Sequence, residues 1–125
     1  MTSTGYKKLL VWQKSDQLVT EIYSLSRAFP REEQFGFTSQ IRRAALSVPL
    51  NVIEGYAREG DKSFASFLSI AYGSLVEVEY LLEVALRLGY VRNIESTQKL
   101  AHEVGQLLWN LRRKVRSDQR VASLE

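Results

Sequence analysis

Apolar residues recur at helical intervals in four separate stretches of this chain, and each stretch ends where a helix is hard to continue. Val11, Leu18, Ile22, Leu25 and Phe29 form the first seam, with Trp12, Val19 and Tyr23 as a second stripe beside it. It stops at Phe29-Pro30, because proline has no amide hydrogen and the residue before it avoids the helical region. After REEQFGF, Thr38 or Ser39 can cap a second helix, in which Ile41, Ala45, Val48, Val52 and Tyr56 share a face and which Gly60 ends. Asp61 caps a third, with a seam of Phe64, Phe67, Leu68, Ala71, Leu75, Val78, Leu82 and Ala85, and Gly89 stands at its left-handed C-cap.

Asn93 opens the fourth, where Ile94, Ala101, Val104, Leu108, Leu111 and Val115 lie on one side and Leu100, Leu107 and Lys114 on another. The tail SDQRVASLE has no sustained period and is expected to fray. The spacing thus predicts helices over about 8–29, 38–58, 61–88 and 93–117. β-Branched residues fall at helical intervals and no Asn-Gly hairpin signal occurs, so no strand is expected. Short links favour antiparallel neighbours. The expected fold is an all-α, antiparallel, up-down-up-down four-helix bundle packed near +20°, and 125 residues at 45% hydrophobic content suit one such domain over residues 1–125.

The apolar surface exceeds what one core needs. On the second helix Leu46, Pro49 and Ile53 form a stripe roughly 110° from the core stripe, and Trp12, Tyr23, Tyr72, Tyr80 and Trp109 crowd helices whose seams are already full. A wide buried face is one reading; burial against further copies in a closed assembly is the other. Pro49 removes an amide donor, so the carbonyl of Ala45 loses its helical partner and a bend is expected there. Gly55 and Gly73 each cost a helix interior about 1 kcal/mol, which close approach of a second backbone would offset. Asn51 and Glu54 are placed to fix the register of such a contact, and Glu54 is also spaced to pair with Arg58. The candidate interface between copies is therefore Trp12, Leu46, Pro49, Asn51, Ile53 and Glu54.

Chemistry is scarce. There is no cysteine, hence no disulfide, thiolate zinc site or Cys nucleophile, and the single His102 lacks a neighbouring Ser or Cys nucleophile in its helix. Glu77, Glu79 and Glu83 lack the Glu-x-x-His spacing of di-iron bundles, and the glycines are scattered singly rather than grouped in a phosphate loop. No catalytic residue, metal, cofactor or small-molecule substrate is expected. The first ten residues lack the apolar core of a secretory signal and no run of eighteen apolar residues occurs, so a cytoplasmic protein with no membrane role is expected.

Net charge is only +3, but it is unevenly spread. RRKVRSDQR, residues 112–120, sets Arg112, Arg113, Lys114, Arg116 and Arg120 against one acid, Asp118. Part of this suits the negative end of a helix dipole. Arg42 with Arg43, and Arg58 with Lys62, add further patches. Repeated around a symmetry axis, such patches would hold a phosphate backbone without reading bases, which makes Arg42, Arg43, Arg58, Arg112, Arg113, Lys114 and Arg116 the candidate contacts to RNA or DNA. The alternative is a scaffold whose aromatics dock a protein while the arginines serve solubility.

VWQKSDQLVTEIY, then Phe29-Pro30, QIRRAALSVPLNVIEGYAR and FLSIAYGSLVEVEYLLEVALRLGYV together resemble the four-helix bundle proteins encoded within intervening sequences of bacterial 23S ribosomal RNA genes, also called S23 ribosomal proteins. The resemblance spans about residues 6–92 and is looser in the fourth helix. Its most specific elements are Val11-Trp12-Gln13, Gln40 with Arg42-Arg43-Ala44, Asn51 with Glu54-Gly55, and Gly73-Ser74-Leu75 with Glu77 and Glu79. It implies a cytoplasmic bundle that assembles as a homopentamer. Similarity to accessory proteins of diversity-generating retroelements implies a basic ring that binds RNA or DNA, without catalysis.

Overall fold

The computed structural model describes the backbone of residues 3–124 and the side chains through Ser117. Four helices make up nearly all of it: α1 (Leu10–Ser26), α2 (Phe37–Ala57), α3 (Asp61–Arg87) and α4 (Glu95–Leu124). Single 3₁₀ turns at Gly5–Lys8 and Arg31–Glu33 precede α1 and α2. The helices pack in a ring, α1 on α2, α2 on α3, α3 on α4 and α4 back on α1, while the diagonal pairs make no backbone approach. This is the expected antiparallel four-helix bundle.

The core follows the seams read from the sequence, except that Leu25, Tyr56, Phe64, Phe67 and Leu111 are only half-buried and Ala44, Ala65 and Leu81 are buried beside them. Leu18, Ile22, Ile41, Val48, Val52, Leu68, Leu75, Val78, Leu82, Val104 and Leu108 are fully buried, each large aliphatic among them contributing about 1.5–3 kcal/mol by leaving water. α3 is apolar enough, at a mean hydropathy of 1.2 over eighteen residues, to match a membrane span by composition, but its buried stripe forms the centre of this core.

The helix ends differ from the expected ones for local reasons. α1 stops at Ser26, and 3₁₀-type bonds from Arg27, Ala28 and Phe29 carry Phe29 into the core from outside the helix. α2 begins at Phe37 after Gly36, so neither Thr38 nor Ser39 is its cap. Gly60, at φ 90°, rather than Asp61, precedes α3, and Asp61 sits in the first turn where a carboxylate complements the dipole. Gly89, at φ 76°, closes α3 as expected: its amide donates to the Leu86 carbonyl and that of Tyr90 to Ala85, the Schellman pattern. Asn93 acts one residue early, its Oδ1 accepting from the Glu95 amide at 2.8 Å. The tail expected to fray is helical to Leu124.

Pro49 is buried inside the chain's own bundle, so the second stripe of α2 is not wholly surplus: only Leu46 is exposed, and Ile53 is half-buried. The interior takes Pro49 because its ring, having no donor to satisfy, behaves there as a small hydrophobe. Gly55 is a true close approach: a Cβ there would stand 2.9 Å from Phe67 Cβ and 3.0 Å from Phe64 Cδ1 of α3. At Gly73 a Cβ would meet nothing within 4 Å.

Candidate nucleic-acid interface

The first turn of α2 is held between three aromatic rings. Phe29, Phe37 and Tyr90 lie 5.6–5.7 Å apart by ring centroids, joining the α1–α2 connection, the start of α2 and the α3–α4 connection. Tyr90 donates its hydroxyl to Glu33 Oε2 at 2.7 Å, and that bond, more than burial or the charges of Glu33 and Glu32, raises the pKa of the phenol. Beside this clamp Arg42 lies over the Tyr23 ring at 4.7 Å and donates from Nε to Ser26 Oγ at 2.8 Å. Ser26, an apparent surface serine by composition, is thereby buried as the anchor of a cation. Arg43, one position on, is exposed.

The other arginines divide by position. Contacts between α3 and its neighbours, Ser47 with Ser74, Gly105 with Leu75, His102 with Glu79 and Tyr72 with Trp109, set the axial register. In that register Arg58 and Arg116 lie near the same end of the bundle but on the diagonally placed α2 and α4. Arg42 and Arg43 lie 15 or 16 positions before Arg58 on α2, a separation of about 22–24 Å. The seven cations therefore do not form one patch on a single copy. Arg113, Lys114 and Arg116 are exposed together on α4, whereas Arg112 is half-buried, its guanidinium 5.1 Å from the centre of the Trp109 ring and its Nε without a partner.

Among the described residues only Arg58 of these seven has a carboxylate within 4 Å: Glu54, at 2.7 Å, in the expected i,i+4 pair. Both groups are about half exposed, so the pair is worth little. Arg58 also covers the Phe67 ring at 5.3 Å. Glu54 is thus engaged within its own helix, as is Asn51, whose Nδ2 donates to Ser47 O at 2.8 Å and Ser47 Oγ at 3.0 Å. Trp12 packs edge-on against Tyr6, centroids 5.1 Å apart, and its buried Nε1 has no acceptor among the described residues.

Two of the residues weighed as catalytic or metal-binding, His102 and Glu79, meet across α3 and α4. His102 is exposed, with Nδ1 3.3 Å from Glu79 Oε2, and no group of three or more His, Asp or Glu suited to a metal ion occurs among the described residues. These two residues, with Tyr72, Gly105, Gln106, Trp109 and Asn110, line a shallow slot of about 400 Å³ between α3 and α4. Large apolar side chains do remain outside: Leu46, Leu50, Ile70, Val76, Tyr80 and Trp109 are all exposed.

The sequence reading missed Phe35, which is 91% exposed just ahead of α2. It stands with Ser39 and Arg43 at four-residue intervals on the outer side of the α2 start, between two surface grooves of about 540 and 600 Å³. The signal was present in REEQFGF, an aromatic with no periodic apolar neighbours, followed by glycine.

The fold and these surfaces define an all-α bundle of four helices with separated basic patches and uncovered apolar side chains. The chain belongs to the 23S rRNA-intervening sequence protein family, whose model matches residues 7–110. That match runs well into α4, beyond the 6–92 span that the resemblance suggested. The chain is also similar to a crystal structure of a protein of unknown function from the S23 ribosomal protein family, from Bacteroides thetaiotaomicron VPI-5482. The two are 27% identical, the alignment covers 83% of this chain and 96% of that one, and the TM-score is 0.76. No curated protein matches the chain.

Proposed function

We propose that several copies of this chain assemble, as a pentamer by the family resemblance, and that the assembly binds RNA or DNA in the cytoplasm through its pooled cationic surface, without catalysis. The observation that carries the reading is that Arg42, Arg43, Arg113, Lys114 and Arg116 have no carboxylate within 4 Å among the described residues. Cations without a carboxylate partner among the described residues are available to phosphates, and because they lie on diagonal helices a continuous surface requires more than one copy. The exposed Leu46, Leu50, Ile70 and Tyr80 supply apolar area for assembly. Gly73 adds to this, since its helix cost of about 1 kcal/mol has no offsetting contact inside one copy. Of the expected interface residues, Leu46, Ile53 and Trp12 retain apolar surface for a neighbouring copy, with Asn51 and Glu54 at its polar margin and Pro49 supporting it from beneath.

Filter binding of ribosomal RNA fragments across a salt series, with light scattering on the same sample, tests both halves. Affinity that is flat from low to moderate salt removes the nucleic-acid role, and a single-copy mass in dilute buffer removes the assembly. A protein-docking scaffold is favoured by one feature, the slot in which Tyr72 and Trp109 lie 5.5 Å apart with Trp109 half exposed. Purification free of nucleic acid after low-salt lysis supports that second reading.

A further inference from the structure

We infer that copies of this chain join head to tail, the outer seam of α2 in one copy packing antiparallel on the outer seam of α3 in the next, with Arg43 paired to Glu77 across the contact. The inference rests on the assembly half of the reading above and names the two surfaces that meet.

Both helices carry a second seam that their own bundle does not use. On α2, Ser39, Arg43, Leu46, Leu50, Ile53 and Ala57 recur in alternating steps of four and three residues, the spacing of a coiled-coil seam, and none of them is buried. On α3, Ser66, Ile70, Gly73, Glu77, Tyr80 and Val84 repeat the same steps, again with none buried. Each seam lies opposite the stripe its helix gives to the core, Val48 and Val52 on α2 and Leu75 and Leu82 on α3. Leu46, Leu50, Ile70 and Tyr80 are left 37–58% exposed. Arg43 and Glu77 line one α2–α3 groove, yet neither has an opposite charge within 4 Å among the described residues.

Run antiparallel, the two seams match in charge and in size. Placing Arg43 on Glu77 sets Leu46 on Gly73 and Leu50 on Ile70 in one direction, and Ser39 on Tyr80 in the other. Large then faces small at Leu46 and Gly73 and at Tyr80 and Ser39, the condition for interdigitation. A Cβ at Gly73 meets nothing within 4 Å in its own copy, so the space for a neighbour's leucine is open. Run parallel, the same ion pair would put Leu46 on Tyr80 and Ser39 on Gly73, large on large and small on small. Charge selects a second copy offering the other seam. Glu77 facing another Glu77, or Arg43 another Arg43, would meet repulsion instead of a partner. Because α2 and α3 are neighbouring antiparallel helices of one bundle, this contact keeps successive copies pointing the same way and leaves each with one seam for the next, as a closed ring requires. Arg43 is then engaged between copies and leaves the set of cations available to phosphates.

Charge reversal in the intact chain, read as mass by light scattering over a dilution series, tests the pairing. Arg43→Glu and Glu77→Arg should each raise the concentration at which the assembly dissociates by about tenfold or more. Helix content should not change, since both side chains are exposed. The double variant, Arg43→Glu with Glu77→Arg, should assemble like the parent. A mixture of the two single variants should regain most of the lost mass, which a pair formed inside one copy could not produce. Crosslinking gives a second reading in a chain that has no cysteine of its own: Leu50→Cys mixed with Ile70→Cys should form a covalent pair on oxidation, and neither variant should do so alone. A parent of single-copy mass removes the assembly reading and this inference together. An assembled parent whose mass withstands both reversals, or a cysteine variant that crosslinks to itself, overturns the seam pairing and leaves assembly standing.

Discussion

Gly55 and Gly73 occupy helix interiors, and the structure gives them opposite reasons to exist. Replacing either with alanine should gain the same helix preference, about 1 kcal/mol. At Gly73 nothing stands within 4 Å of the added methyl, so in an isolated copy the gain is realised in full. At Gly55 the methyl would lie 2.9 Å from Phe67 Cβ and 3.0 Å from Phe64 Cδ1, against the roughly 3.5–4.0 Å of an ordinary carbon contact. Phe67 Cβ is fixed to its backbone, so α2 and α3 must part by several tenths of an ångström, an overpacking cost of about 1–3 kcal/mol. The preference gain cancels between the two variants, leaving Gly73→Ala more stable than Gly55→Ala by that packing term alone. For a chain of this length 1 kcal/mol corresponds to about 4 °C in melting temperature, so the two should differ by about 4–12 °C. Urea unfolding followed by circular dichroism reads the difference directly, at concentrations where light scattering gives both variants the same mass. A Gly55→Ala protein as stable as Gly73→Ala would refute the close helix approach.

Four further outcomes are expected. Replacing Arg113, Lys114 and Arg116 together by glutamine should flatten the dependence of log affinity on log salt by about 2–3, a change readable by filter binding at several salt concentrations. Leu46→Asp with Leu50→Asp should lower the assembled mass in light scattering while leaving helix content unchanged, since both side chains are exposed in one copy. Leu82→Ala, at a fully buried position of α3, should cost about 2–5 kcal/mol in denaturant unfolding. Tyr90 has a raised pKa in the folded chain through its bond to Glu33, so its contribution is fully present below the ordinary phenol value near 10 and is lost as pH rises through the higher folded value. The stability difference between the parent and Tyr90→Phe, measured by urea unfolding, should therefore hold at neutral pH and shrink above about pH 10.

The four seams were legible because burial on a helix repeats every 3.6 residues, so Leu18 and Ile22, Val48 and Val52, Leu75 and Leu82, and Val104 and Leu108 announce their shared faces without reference to one another. Gly89 was legible for a similar reason: a backbone at φ 76° admits few residues other than glycine. The start of α2 was not, because a run of Phe37, Thr38 and Ser39 contains a good capping residue that the chain does not use as one. The cationic residues were legible as a list, since charge is a property of residue type.

Their arrangement belongs to the tertiary structure. Which helices are neighbours and which are diagonal decides that Arg58 and Arg116 share an end but not a face. It also decides that Arg42 is anchored by Ser26 and Tyr23 across the α1–α2 contact, and that Arg112 folds back on Trp109. Pro49 moved from outer stripe to interior, and Gly55 and Gly73 acquired different roles, for the same reason. Periodicity records which face of a helix avoids water, a local quantity; what that face meets depends on the distance and register of another helix, which no single stretch of sequence encodes.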